Sequence, residues 1–549
     1  MIPPDFRDRS PARPPPAMLA ALALMALEIL VAISGFTTPP GFLDRSLTWT
    51  VVLHNRQTLF GALLLGAVMA VVLLGPRRSE HWRAWVAQAG RSRGPWPLLV
   101  QVASCLLCYA LAWPLYAMPA EVGPWGWPLL IAWLASLGIC ALASLWLLAP
   151  LSWWRALVAR EARVVLLAGA GMLAGGGLIA LLFRAWTAVP WLVQVTLNSS
   201  AWLLRLVYPD AVVDPATAII EVDGFRVQIS DACSGYLGIS LTLAFLACYG
   251  YLFRDELRPW LMAALLPLGV SISLALNALR IALLVMLGVE VSPELAVAGF
   301  HTHAGSIAMV ITWLLVVGVV HRFAIAPAAA AAADGERIGW VLDHENALLV
   351  PLMVLLASTL LTGALSGHFV WLYPLRVLLV AIALRICWKA LAPVVDWTPR
   401  LPYLAGIAAF AVWLLLIDED AAASARFAAA LDAAPAAVAQ GWLLFRALGA
   451  VVTVPIAEEL AFRGYLLALL SRQPVRADAA PAFDALGVAG SSLLFGALHG
   501  QWLAGTVVGL IYAAVRLARG RLWDAVLAHA TTNLLLAAYV VATGRWSYW

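Results

Sequence analysis

Asp231-Ala-Cys-Ser-Gly-Tyr236 puts a cysteine at the start of an apolar run, and a helix N-terminus favours the thiolate over the thiol. Cys233 is therefore suited to attack a carbonyl carbon. Arg280 lies inside the apolar run Ile272–Leu287, where a charge costs roughly 2.5–3.5 kcal/mol on insertion scales and so needs a partner or a task. Asn277, three residues earlier, makes the same helix face polar. His301 and His303 open the next run in Phe300-His-Thr-His-Ala-Gly-Ser306. A thiolate, an imidazole for proton transfer and a guanidinium to steady an oxyanion or a substrate carboxylate suffice for acyl transfer. Each residue taken singly also has a plain reading: a packed cysteine, a snorkelling arginine, a histidine capping a helix.

A second group lies near the other end. In Ala457-Glu458-Glu459-Leu-Ala-Phe-Arg463, four-residue spacing sets Glu459 and Arg463 on one helix face in the favourable order. Paired carboxylates among apolar residues are costly unless one is neutral or faces a cation. Phe495/His499 and His529/Asn533 repeat the four-residue spacing in two later runs. A carboxylate base, two imidazoles and an amide can activate water and hold a tetrahedral oxyanion. The competing readings are a polar network that fixes helix packing and a zinc site, but no His-Glu-x-x-His occurs. No metal and no cofactor is expected, and no nucleotide-binding fingerprint is present.

The elements that must position these groups are membrane helices. The 549 residues are 63% hydrophobic and 12% charged, with a mean hydropathy of +0.90, outside the range of a soluble globular chain. At about 20 residues per crossing, about fifteen runs qualify, some short or re-entrant, and in lipid their backbone must be helical. Those of the first half are 17–36, 58–75, 97–118, 128–149, 164–183, 234–253, 260–287 and 304–320. Those of the second are 347–365, 368–386, 402–417, 441–470, 486–499, 501–516 and 522–541, with an Ala-rich amphipathic stretch at 420–439. Many of the 26 tryptophans stand at run edges, where they anchor in the interface.

The net charge of +4 comes from short basic loops and reads as topology, with no nucleic-acid partner. Arginines at the N-terminus and in 77–93, 155–163, 254–258 and 321–322 place those segments in the cytoplasm, so 37–57, 185–232 and 288–303 face outward. Cys233, Arg280 and His303 then fall near one outer face. Within 185–232, Ala218–Val222 and Phe225–Ile229 flank Asp223-Gly224, a pair suited to a type I′ hairpin. The Ala/Pro-rich stretch 323–346 reads as a linker between domains 1–322 and 347–549. Cys105, Cys108, Cys140, Cys248 and Cys387 sit in apolar runs, where packing is the default.

Asp-Ala-Cys233-Ser-Gly, Leu276-Asn-Ala-Leu-Arg280-Ile and His303-Ala-Gly resemble the motifs of the exosortases, membrane-embedded analogues of sortases, over roughly residues 1–322. The resemblance implies a nucleophile at Cys233, an oxyanion or substrate stabiliser at Arg280 and an acid/base at His303, with the neighbouring His301 left open. It implies as partners exported proteins that carry a C-terminal motif, a transmembrane helix and a basic tail. Glu-Glu-x-x-x-Arg, Phe-x-x-x-His and His-x-x-x-Asn resemble the CAAX-protease and bacteriocin-processing (CPBP) intramembrane peptidases over roughly 345–549. There the resemblance implies a metal-independent reaction with Glu458 activating water, His499 its partner, and His529 and Asn533 completing the oxyanion site. The fusion is similar to dual-domain exosortase/proteases that process VPEID-type sorting signals at the bacterial inner membrane.

The expected fold is an all-α polytopic membrane protein of two helical transmembrane domains with a small extracytoplasmic β-hairpin in the first. The different-class alternative is a multispan transporter or scaffold whose buried polar residues only line a path or fix packing.

Overall fold

The computed structural model describes residues 77–89, 94–170, 190–230, 233–252, 259–323, 344–391, 400–471, 473–475 and 481–549, with isolated positions between 18 and 74. The expected runs 17–36 and 58–75, the later part of 164–183 and nearly all of the linker 323–346 lie outside the described residues. The chain is an all-α polytopic membrane protein. Among the described residues, eight helices are long and apolar enough to cross a membrane, or nine if a pair bent by 111° forms one span. Two compact units separate at Phe183/Arg184.

The first unit includes α1 (Arg78–Ala89), α2 (Trp96–Ala117), α3 (Gly126–Leu148) and α4 (Leu151–Arg160). Helices α2 and α3 pack closely around Ala112, Leu115 and Leu130. Gln101 Nε2 donates to Glu28 at 2.8 Å while its carbonyl accepts from Ser144 at 3.0 Å, so both ends of a buried amide are satisfied. Cys105 and Cys108 are buried free thiols, and Ser136 donates to Cys108 at 3.2 Å, a packing arrangement.

The second unit begins with α5 (Pro190–Arg205), followed by strands β1 (Val212–Asp214), β2 (Ile219–Val222) and β3 (Phe225–Gln228). The antiparallel order is β1-β2-β3. Both Asp223 and Gly224 have positive φ, 46° and 82°, as a type I′ turn demands. The hairpin thus forms where expected, and a third strand joins it. Ile220, Val222 and Ile229 turn inward against Leu197 and Leu204 of α5. Helix α5 itself was not expected. It has 16 described residues and exposes Trp191 and Trp202.

Helices α6 (Tyr236–Leu252), α7 (Pro259–Glu290) and α8 (His301–Phe323) follow, and a π-helical stretch, Leu295–Phe300, leads into α8. Ile281 and Val285 of α7 close the core beneath the sheet, and Phe225 of β3 lies on Gly288, where a methyl group would meet the ring at 2.4 Å. Then come α9 (His344–Ala364), α10 (Tyr373–Leu391), α11 (Arg400–Leu416), α12 (Ala421–Asp432), α13 (Ala436–Leu470), α14 (Ala485–Ala497), α15 (Trp502–Arg519) and α16 (Leu522–Thr543). Helix α13 is interrupted by two π-helical stretches, Gly449–Thr453 and Leu460–Leu466. Extra-residue turns of this kind concentrate at functional positions. Here each borders a segment that carries candidate residues.

Candidate active sites

The turn that carries Cys233 is tied from both sides. Its N–H donates to Ser230 O at 2.8 Å, Asn277 Nδ2 of α7 donates to Cys233 O at 2.9 Å, and Thr196 Oγ1 of α5 donates to Ser234 O at 2.9 Å. Gly235 follows with φ +84°, and a methyl group there would stand 2.9 Å from Asn277 Nδ2. The close approach and the left-handed backbone both require glycine. Replacing Asn277 with alanine leaves the Cys233 carbonyl unpaired. The expected cost is about 1–3 kcal/mol, read as slower alkylation of the Cys233 thiol at unchanged expression.

Arg280 reaches the Cys233 side chain. Its Nη1 lies against Gly305 of α8, where a methyl group would approach to 3.0 Å, and its Nε has no protein partner. His301, one turn before Gly305 and on the same helix face, lies within electrostatic reach of Arg280. His303 is about 200° further round α8. Its Nδ1 donates to Gly299 O at 3.0 Å, and its Nε2 rests on α9, 2.5 Å from where a methyl group on Gly363 would sit. Of the four residues singled out, the structure gathers Cys233, Arg280 and His301 on one side and turns His303 to the other.

In the second group, Glu459 and Arg463 are wholly buried. Arg463 Nη1 donates to Glu459 Oε1 at 3.1 Å and Nη2 to Gly509 O at 2.8 Å, while the guanidinium stacks on Phe495 at 4.3 Å. His529 Nδ1 meets the same carboxylate oxygen at 3.0 Å. Since a carboxylate only accepts there, Nδ1 carries the proton and Nε2 is the basic nitrogen. Tyr512 stacks on that ring at 4.8 Å. Glu458 differs in being 7% exposed, and it lies within electrostatic reach of His529, Glu459 and Arg463; the Oε2 atom of each glutamate has no protein partner. His499 Nδ1 donates to Phe495 O at 2.8 Å, which again frees Nε2. A cavity of about 180 Å3 is lined by His499, Phe495, Tyr512, His529, Asn533 and Arg446, among others. Among the described residues, no three His, Cys, Asp or Glu side chains are grouped to hold a metal ion.

Asn533 has a structural duty that its spacing did not reveal. In the π-turn Gly449–Thr453, Val454 N–H donates to Gly449 O, so Ala450 O would look to residue 455. That residue is proline and has no N–H. Asn533 Nδ2 donates to Ala450 O instead, at 2.7 Å. The amide thereby locks α16 to the widened turn just ahead of the glutamates.

Residues 42–318, half of the chain, match the transmembrane exosortase family. The chain belongs to that family. Cys233, Arg280, His301 and His303 all fall inside the match. Residues 440–535 match the type II CAAX prenyl endopeptidase Rce1-like family, and this stretch holds Glu458, Glu459, Arg463, His499, His529 and Asn533. No curated protein and no solved structure matches. Both families are peptidases, so this exosortase is a membrane peptidase, fused to a CAAX protease-like segment, and its substrates are proteins that carry sorting signals.

Several contributors had gone unmarked. Thr196 lies on the unexpected α5, and Gly235 gave no chemical signal of its own. Tyr512 and Gly509 lie on α15, whose small residues let it close on α14, Gly505 facing Gly496. The Gly505-x-x-x-Gly509 spacing is the signal that could have marked that face.

Proposed function

We propose that this exosortase is a bifunctional processing enzyme of a bacterial inner membrane. Its first site cleaves C-terminal sorting signals of the VPEID type on exported proteins, at the extracytoplasmic face. The observation that carries the reading is Arg280, a guanidinium inside a membrane helix whose Nε has no protein partner, set between the Cys233 thiol and His301. Cys233 Sγ attacks the scissile carbonyl carbon, and the oxyanion that forms is held by Arg280. His301 takes the thiol proton as Sγ attacks and delivers it to the departing amine as the C–N bond breaks, leaving an acyl-enzyme for water or another nucleophile to release. His301 takes the role that the sequence motif suggested for His303, because it shares the Arg280 face. The exported substrate's own transmembrane helix and basic tail would hold it in the bilayer beside the site.

The second site follows a different division of labour. Glu459 is wholly buried and its Oε1 takes hydrogen bonds from both Arg463 and His529, so it fixes geometry, while Glu458, the more exposed of the two, activates water. His499 and His529, each with Nε2 free, handle the proton and the oxyanion. Domains 1–322 and 347–549 would carry one site each.

A membrane-impermeant maleimide applied to right-side-out membranes tests the first assignment. Cys233 is expected to label while the buried Cys105, Cys108 and Cys387 do not. Labelling only after the membrane is opened would contradict the outer placement. Glu458→Gln should stop the second site's hydrolysis by about 100-fold or more and leave cysteine-dependent processing intact. Loss of both activities in that variant, at equal membrane insertion, would contradict two separate sites.

A further inference from the structure

Strand β3 borders the first site without entering the reaction above. It pairs with β2 on one side, and among the described residues no strand takes its other edge. Ile229 N–H donates to Ala218 O. Antiparallel pairing alternates bonded and open residues, so Val227 and Phe225 also spend their main-chain groups on β2, opposite Ile220 and Val222. The main-chain N–H and C=O of Arg226 and Gln228 therefore point away from β2. Both residues are exposed, and among the described residues no partner takes those groups. An open strand edge beside a membrane helix is costly unless water or a further strand satisfies it. The strand also leads to the nucleophile. At its start the Phe225 ring lies on Gly288, two residues from the end of α7, and five residues past its end Cys233 O accepts from Asn277 of the same helix. The chain thus runs antiparallel to α7, from near Glu290 down to the thiol, over about 16 Å. An extended polypeptide covers that length in about five residues. Phe225 and Val227 pack on the apolar cluster with Ile220 and Val222, while Arg226 and Gln228 face out.

We propose that the open edge of β3 is the docking surface for the exported substrate's sorting segment, which adds to the sheet as a fourth, parallel strand. The proposal rests on reading Cys233 as the nucleophile of a sorting peptidase. The direction follows from the substrate's own layout. Its body lies outside and its transmembrane helix and basic tail lie further in, so it enters beside Phe225 and descends with β3. About five extended residues bring the scissile carbonyl to Cys233 Sγ and Arg280, and the transmembrane helix begins beyond. Main-chain hydrogen bonds to Arg226 and Gln228 supply affinity, and alternate side chains supply the choice of sequence. Parallel neighbours project to the same face, so substrate residues level with Phe225 and Val227 are apolar and those level with Arg226 and Gln228 are polar. A helical segment would have no main-chain groups to offer the edge. A second copy of this chain on that edge would close the approach to the thiol, which favours the substrate as occupant.

Disulfide crosslinking tests the docking apart from cleavage. Single cysteines are placed in turn along the stretch just before the transmembrane helix of a co-expressed protein bearing a VPEID-type tail. The full chain carries Cys233→Ala, which leaves the substrate uncut, together with Gln228→Cys or Arg226→Cys. The expected result is a crosslink at one substrate position for Gln228→Cys, and at a position two residues nearer the substrate's N-terminus for Arg226→Cys. A shift in the opposite direction would overturn the parallel register. Crosslinks without position dependence, to a tail that the native chain does cleave, would overturn the docking surface and leave the peptidase reading standing. Registered crosslinks to a tail that the native chain does not cleave would do the reverse, and the absence of both crosslink and cleavage would overturn both. Crosslinks between two copies of the chain, equal with and without the tail, would assign the edge to self-association instead. With Cys233 intact, Gln228→Pro removes the N–H that faces the edge and no bond to β2. It should raise KM about tenfold more than Gln228→Ala, which keeps that N–H, with kcat within a few-fold. Equal effects of the two substitutions would overturn the main-chain pairing.

Discussion

Replacing Arg463 with methionine is expected to lower stability by about 3–5 kcal/mol, because it leaves the Glu459 carboxylate buried without its cation. Both side chains have zero exposure, so solvent cannot take over the arginine's role. The change also frees Gly509 O and removes the guanidinium from between Phe495 and Tyr512. The measurement is the thermal unfolding midpoint of detergent-solubilised protein. A second substitution separates charge from packing. Arg463→Met combined with Glu459→Gln removes both charges and keeps an oxygen for His529 Nδ1–H, so it should recover part of the loss while hydrolysis at the second site stays absent. Double-mutant coupling near zero would contradict a direct Glu459–Arg463 interaction.

His301→Ala is expected to slow the cysteine-dependent reaction by about 100- to 10,000-fold, the usual contribution of a positioned acid/base. His303→Ala should leave the chemistry within a few-fold, since its ring rests on α9 and its Nδ1 is spent on Gly299 O. Its effect belongs to stability, as the imidazole fills the contact over Gly363. Processing rates of the two variants at equal membrane insertion decide between them, and the reverse ranking would return the acid/base role to His303.

Much of the architecture was legible because its signals are local. Asp223-Gly224 demands positive φ at two successive residues, and the turn obeys. The Glu459/Arg463 pair follows from helical spacing alone, and most apolar runs begin and end near the helix bounds. The failures share a cause. Helix α10 was expected over 368–386 and runs Tyr373–Leu391, because Phe369 and Trp371 are apolar without being helical. They pack as loop aromatics on Trp442, at ring separations of 4.7 and 6.4 Å. Hydropathy cannot tell a lipid-facing residue from one buried in a loop.

The sites were legible in composition but less so in orientation. Cys233, Arg280 and the second-site residues carry their own chemistry in their types, and a charge or polar group inside an apolar run is conspicuous. Which of His301 and His303 faces the thiol depends on the phase of α8, set by the π-helical stretch Leu295–Phe300 just before it. One extra residue in a turn rotates everything after it by about 100°. No residue type announces such a stretch. Likewise Asn533 reads as an oxyanion donor by type, and only the absent N–H of Pro455 explains why it is bonded to Ala450.

The central claim is that Cys233 is the nucleophile of a sorting peptidase. The most direct measurement is C-terminal processing of a co-expressed protein bearing a VPEID-type tail, by the native chain and by Cys233→Ala inserted to the same level. The expected result is full processing by the native chain and accumulation of the uncut precursor with Cys233→Ala. Undiminished processing by Cys233→Ala would contradict the account.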